Sequence, residues 1–217
     1  MRETRLKGVF EEKGRLFTKN LVPRKSVYGE RLVRVQGVEY REWDPRRSKL
    51  CAGIKKGASQ IGIYPDSKVL YLGASTGTTI SHVSDIVGEN GFVVGVDIAP
   101  RTTRELVFLS EERSNLAPLL ADANHPEHYP QLIEFDALFQ DVAQKNQVEI
   151  FLKNMALVKK GGFGLLCVKS RSIDVTKKPS IIYKEVLREL EKHITVVDKR
   201  TLEPFEQDHI LYICKKK

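Results

Sequence analysis

Hydrophobic and polar positions fall into two regimes along this chain. Up to about residue 45, short runs mix apolar residues with basic or polar ones: Gly8-Val9-Phe10, Arg15-Leu16-Phe17-Thr18, Tyr28 and Arg31-Leu32-Val33-Arg34-Val35, punctuated by Gly14, Pro23, Gly29 and Gly37. Such runs between turn formers predict short antiparallel strands and hairpins. Glu42-Trp43-Asp44-Pro45 closes this stretch, and Arg46-Arg47-Ser48-Lys49-Leu50 leads into a helix expected to reach about Lys56. After Asp66 the pattern becomes regular. Strands are expected at Lys68–Leu72, Phe92–Asp97, Pro118–Leu120, Ala137–Gln140, Gly164–Lys169, Thr195–Leu202 and His209–Cys214. Helices are expected at Thr79–Val87, Arg101–Arg113, His128–Leu132, Asn146–Leu157 and Ser180–Glu191. Alternating strands and helices imply a parallel, doubly wound sheet. Only a loop, Glu203 to Asp208, joins the last two strands, which predicts a terminal antiparallel pair. The expected organisation is a small β-rich module over residues 1–45 and an α/β domain over residues 46–217.

Within that domain, Lys68 to Asp97 is the most telling stretch. An apolar run meets the turn GASTGTT, a helical segment follows, and a second apolar run closes on Asp97. Strand, glycine-rich turn, helix, strand and terminal acid form the layout of a nucleotide-type cofactor site. The turn has no Lys followed by Ser or Thr, so a P-loop is excluded. It also lacks the G-x-G-x-x-G of dinucleotide sites, which disfavours an NAD-dependent oxidoreductase. Gly73, Ala74 and Gly77 instead follow the looser spacing of S-adenosylmethionine-dependent methyltransferases, with a Rossmann-like class I sheet. The bland alternative is a tight strand-to-helix turn of any α/β protein.

Charge and cysteine content narrow the class. A net charge of +8 suits a polyanionic partner. Three widely spaced cysteines, Cys51, Cys167 and Cys214, form no CxxC pair and suggest neither a zinc site nor a disulfide framework. No apolar run approaches membrane-spanning length and no signal peptide is evident, so a cytoplasmic protein without membrane attachment is expected.

In such sheets, ligands sit beyond the carboxyl ends of the strands. Polar residues gather at five of these ends: Thr78 and Thr79; Asp97 and Ile98; Asp122 and Ala123; Asp141, Val142, Ala143 and Gln144; and Lys169 onward. A single Asp after a strand is commonly a turn former; the set as a whole fits an adenosine-type ligand. Thr78 and Thr79 begin a helix whose free N–H groups could meet the ligand's amino-acid portion. Asp97 suits the ribose hydroxyls, and Asp122 with Ala123 suits adenine. Asp141 and Gln144 would border the methionine part and the reaction centre.

KVLYLGASTGTTISHVSDIVG, followed by DANHPEHY, DVAQKNQ and VKSRSID, resembles the fibrillarin family in its archaeal form. RLFTKNLVPRKSVYGERL and EWDPRRSKLCAGI extend the resemblance over nearly the whole chain. It implies methyl transfer from S-adenosylmethionine to a ribose 2′-hydroxyl of rRNA, and of tRNA in archaea. The nucleotide would be chosen by a box C/D guide RNA, with a Nop-domain scaffold protein and a kink-turn-binding protein of ribosomal type as partners. It implies cofactor contacts at Thr78, Thr79, Asp97, Ile98, Asp122, Ala123, Asp141, Val142, Ala143 and Gln144. It also suggests a catalytic set of Lys49, Asp141, Lys169 and His209, without metal. In that set Lys169 is favoured as base or alkoxide stabiliser, oriented by Asp141 as a coupled pair, with Lys49 and His209 orienting substrate. Cys51 and Gly53 interrupt the family's usual alanine-rich run, Asp97 stands where glutamate is common, and Phe139 where tyrosine is common. A non-catalytic component of an RNA particle, keeping the fold and the basic surface, is the alternative.

Overall fold

A computed structural model describes residues 1–130 and 133–217. The N-terminal runs form an antiparallel five-stranded sheet, as their mixed pattern predicts. Its strands are β1 (Arg2–Glu3), β2 (Val9–Glu12), β3 (Arg15–Lys19), β4 (Leu32–Val35) and β5 (Val38–Trp43), in the order β1-β2-β3-β5-β4. Two-residue turns at Lys13-Gly14 and Gln36-Gly37 close the hairpins β2–β3 and β4–β5. The chain then enters α1 (Lys49–Lys55), whose N-cap Ser48 accepts a hydrogen bond from the Cys51 amide.

Strands and helices alternate from there: β6 (Lys68–Leu72), α2 (Thr78–Val87), β7 (Phe92–Asp97), α3 (Pro100–Glu111), β8 (Leu116–Leu120), β9 (Phe135–Gln140), α4 (Gln147–Asn154), β10 (Val158–Lys169), the single turn α5 (Ser170–Ile173), α6 (Pro179–His193), β11 (Thr195–Thr201) and β12 (His209–Lys215). The sheet order is β11-β12-β10-β9-β6-β7-β8. β8, β7, β6, β9 and β10 are parallel, whereas β12 runs antiparallel between β10 and β11. From β6 the chain winds first towards β8 and later, through β9, towards β12. The order therefore reverses between β6 and β9, which is where a doubly wound sheet opens a crevice.

Side-chain alternation explains why the central strand runs are apolar throughout. Val69 and Tyr71 of β6 face a core shared with α1, α2 and α3, whereas Leu70 and Leu72 face a second core under α4 and α6. Both faces are covered, so no polar alternation survives. Leu6, Val9, Leu16 and Trp43 of the N-terminal segment belong to the first core. Thus α2 is held between two sheets and is buried from Ile80 to Val87.

That burial gives the polar residues of SHVSD a structural task. His82 is fully buried, stacks on Trp43 at 4.9 Å, and lies 2.7 Å from both the Thr18 and Tyr28 hydroxyls. Burial, reinforced by the nearby Arg41 and Arg113 charges, pushes its pKa well down. Asp85 accepts from Arg41 at 2.8 Å and Arg113 at 2.7 Å, all three side chains being buried. Arg41 also meets Glu30 at 2.5 Å. The network bonds the N-terminal sheet to α2.

Several expected elements shift. β10 begins at Val158, ahead of Gly161 and Gly162, and passes through a register irregularity before Phe163. The glycine pair hides the strand's first part from a propensity reading. The helix expected to Leu157 ends at Asn154 and finishes as a 3₁₀ turn, Met155–Leu157. Instead of a helix starting at His128, a 3₁₀ turn spans Pro126–His128; Gln131 and Leu132 lie outside the described residues. The polar residues following Lys169 form the single turn α5. Gly53 leaves room for a neighbour: a Cβ there would lie 2.3 Å from Leu211 Cδ2 and would have to displace that side-chain tip where α1 packs on β12. Cys51 is buried beside it, its thiol donating to the Trp43 carbonyl. Among the described residues no helix is long and apolar enough to cross a membrane.

Candidate active site

The crevice at the β6–β9 switch holds a cavity of about 300 Å³. Gly73 and Ser75 supply one wall from the turn after β6. Val96, Asp97 and Ile98 come from the end of β7, and Ala121 and Ala123 follow β8. Asp141, Val142, Ala143 and Gln144 follow β9. Gly73 is required at its place: its φ is +80°, and a Cβ would lie 2.2 Å from the Asp141 carbonyl oxygen. The turn after β6 can come this close to the loop after β9 only with glycine at this position.

Asp97 organises the turn. It accepts hydrogen bonds from the amides of Ser75 at 2.8 Å and Ala99 at 2.9 Å, and from the Thr102 hydroxyl at 2.9 Å. Two ionised carboxylate oxygens offer about four acceptor sites, so capacity remains for a hydroxylated ligand. Ile98 is 57% exposed beside it. Asp122 binds the amide and side chain of Asn124, which hold its pKa down.

Not every expected contact reaches the cavity wall. Thr78 and Thr79 start α2 outside the lining, and Thr79 donates to Ser48 Oγ at 3.0 Å. Ala74 is packed in the first core, Gly77 caps α2 against Leu109, and Asp122 is flanked by the two alanines that do line the cavity. Conversely, Ser75, Val96 and Ala121 line it without having been singled out. Their only signal in the sequence was adjacency to the glycine turn and to two strand ends.

Next to the cavity, α1 places Lys49 at its first residue. Lys49 Nζ meets Asp141 Oδ2 at 2.7 Å. Burial pulls the lysine pKa down, but the carboxylate outweighs it and the net shift is upward. Asp141 therefore pairs with Lys49, which corrects the expected coupling of Asp141 to Lys169. Among the described residues Lys169 makes no ion pair. Sheet register instead sets Lys169 directly across from His209 on β12. His209 is mostly buried, with Nδ1 2.6 Å from the Gln207 carbonyl. Burial lowers its pKa, and the Lys49 charge adds to that although the Gln207 contact opposes it. Both Lys49 and His209 also feel Glu206, a carboxylate in the loop before β12 that had been read only as a connection.

A second overlooked residue is Gln147. Its buried side chain donates to the carbonyls of Gln144 at 2.8 Å and Lys169 at 3.3 Å, and accepts from the Lys169 amide at 3.1 Å. One amide group thereby ties the cavity loop after β9 to the end of β10. Gln140 supports it from below, donating to the Gln147 carbonyl at 2.6 Å.

The chain's likeness to known proteins is consistent along its length. The family profile described as Fibrillarin matches residues 1–217. The fibrillarin-like rRNA/tRNA 2′-O-methyltransferase of Thermococcus onnurineus is 52% identical over 204 residues, covering 93% of this chain and 90% of that protein. The crystal structure of Aeropyrum pernix fibrillarin with natively bound S-adenosyl-L-methionine superposes with a TM-score of 0.89 at 42% identity, covering 98% of this chain and 96% of that one. A fibrillarin/Nop5p complex gives a TM-score of 0.89 at 38% identity, covering 99% and 100%. With a switch-point crevice lined by strand ends and a profile match from first residue to last, this chain belongs to the fibrillarin family.

Proposed function

We propose that this chain is an S-adenosylmethionine-dependent RNA ribose 2′-O-methyltransferase, the catalytic subunit of a box C/D guide-RNA particle that modifies rRNA and tRNA in the cytoplasm. The observation that carries the reading is the union of the strand-end cavity with the Lys49–Asp141 ion pair at its border. The residues present fit the cofactor. Asp97 would hold the ribose hydroxyls, Ile98 would cover the adenine, and the backbone of Val142 to Gln144 would follow the methionine part.

When bound, the cofactor supplies the methyl sulfonium, an electrophile strong enough that the protein chiefly positions the reactants. Lys49 stays protonated beside Asp141, so it is not the base. Its positive charge favours the oxyanion that develops as the 2′-hydroxyl loses its proton. Lys169, fixed by Gln147, serves as base or second alkoxide stabiliser. His209, neutral and opposite Lys169, orients the hydroxyl. Residues 1–45 form a module that buttresses α2, and residues 46–217 form the catalytic domain.

A Nop-domain scaffold is supported as partner by the relative solved with Nop5p. A guide RNA and a kink-turn-binding protein complete the particle in this reading. The decisive experiment is transfer of labelled methyl from S-adenosylmethionine to guide-paired RNA in a reconstituted particle. Cofactor binding without transfer would favour a non-catalytic component and overturn the proposal.

A further inference from the structure

The segment DANHPEHY brings together three side chains of metal-ligating type. One donor atom from each of His125, Glu127 and His128 lies within 4.8 Å of the other two. His125 Nδ1 is 2.8 Å from Glu127 Oε1, and the two imidazole rings stack at 5.2 Å with planes 15° apart. We propose that these three side chains bind a divalent transition-metal ion, zinc being the best match.

Two features favour an ion over a chance meeting of surface groups. The first is backbone rigidity. The His125 amide donates to the Asp122 carbonyl at 3.0 Å, and the His128 amide donates to the His125 carbonyl at 3.0 Å. Pro126 sits between them in the 3₁₀ turn, where its fixed φ suits the first position. Beneath the turn, Asn124 bridges to Gln144 and Asn146. The donors are therefore mounted on one turn whose backbone is already ordered, and an ion would have only the three side chains left to order. The second feature is the donor set. Two imidazole nitrogens and one carboxylate oxygen suit zinc and its neighbours, whereas magnesium and calcium prefer all-oxygen shells. Three protein ligands leave a fourth position for water. All three side chains are exposed, so ligation requires no rearrangement of the core.

None of the three donors lines the strand-end cavity, so the site is distinct from the methyl-transfer crevice. The test is calorimetric titration of zinc chloride into the full chain after treatment with a chelator. One equivalent should bind. His125→Ala and His128→Ala should each weaken binding by about tenfold or more, at least the loss seen when only a supporting partner of a ligand is removed. Both variants should keep the wild-type circular dichroism and melting temperature without metal, because the side chains are exposed. Magnesium should not compete. Zinc uptake unchanged in both variants, or magnesium binding as tightly as zinc, would overturn the assignment. The chelator-treated chain should bind S-adenosylmethionine as the untreated one does; a loss there would overturn the separation of the two sites.

Discussion

Replacing Asp141 by asparagine keeps the shape of the side chain and removes the charge that faces Lys49. The pair is short, at 2.7 Å, and its side chains are only 21% and 27% exposed. A hydrogen bond to a charged group contributes about 1.5–3 kcal/mol. Partial exposure places this one in the lower half of that range, about 1.5–2 kcal/mol. If the pair holds Lys49 as a fixed positive charge facing the oxyanion, its loss misplaces that charge, and a transition-state penalty of that size lowers the methyl-transfer rate about 10- to 30-fold. The pH profile carries a second signature. Burial, the largest influence on Lys49 and a downward one, is then opposed chiefly by the weaker pull of Glu206, so the lysine loses its proton at lower pH than in the wild type. The alkaline limb of the rate profile should move to lower pH accordingly. The assay is single-turnover methylation in the assembled particle, with cofactor affinity measured in parallel to separate a binding defect. A faster reaction at neutral pH would refute the reasoning, since it would mean that Lys49 works as the base and gains from a lowered pKa.

Gln147→Ala should strip the Lys169 backbone of its partners and lower the methyl-transfer rate about 10- to 100-fold through misplacement, with a smaller effect on cofactor affinity. A wild-type rate would remove Gln147 from the positioning scheme. Asp97→Ala should weaken S-adenosylmethionine binding by about 1–3 kcal/mol, read by calorimetry; unchanged affinity would contradict the ribose site. Asp85→Asn leaves the buried Arg113 without its carboxylate and Arg41 with Glu30 alone, and should destabilise the fold by about 3–5 kcal/mol in chemical denaturation. A loss under about 1 kcal/mol would show that the network is dispensable. His82 and His209 both have pKa values below that of an unfolded histidine, so the stability they confer is present above about pH 6.5 and is lost as pH falls through their folded values. Each adds a slope of up to about 1.4 kcal/mol per pH unit, so urea unfolding should show stability dropping from pH 6.5 to 5. A flat profile across that window would contradict the neutral, buried state of both rings.

Local features were legible in the chain itself. The β6 turn, the start of α2 and the acid closing β7 follow from short-range patterns of glycine, apolar runs and strand ends, and so did the doubly wound sheet with its antiparallel last strand. These depend on neighbouring residues, whose geometry the backbone dictates directly. Contacts made across long stretches of chain were not legible. SHVSD reads as an amphipathic helix with stray polar residues until the N-terminal sheet covers it and Arg41 and Arg113 converge on Asp85. Lys49 and Asp141 stand 92 positions apart, and nothing local marks one as the other's partner. Lys169 was assigned to Asp141 because their strands adjoin, but sheet register sets it opposite His209 and α1 delivers a different lysine to the carboxylate. Gln147 sits in the DVAQKNQ run and His125, Glu127 and His128 in DANHPEHY, but nothing local shows what their side chains meet. The sequence alone determined which residues could do chemistry and which strand ends would carry them. The tertiary structure decided which of them meet, because pairing depends on how helices dock and strands register, and those choices are made by the two hydrophobic cores together.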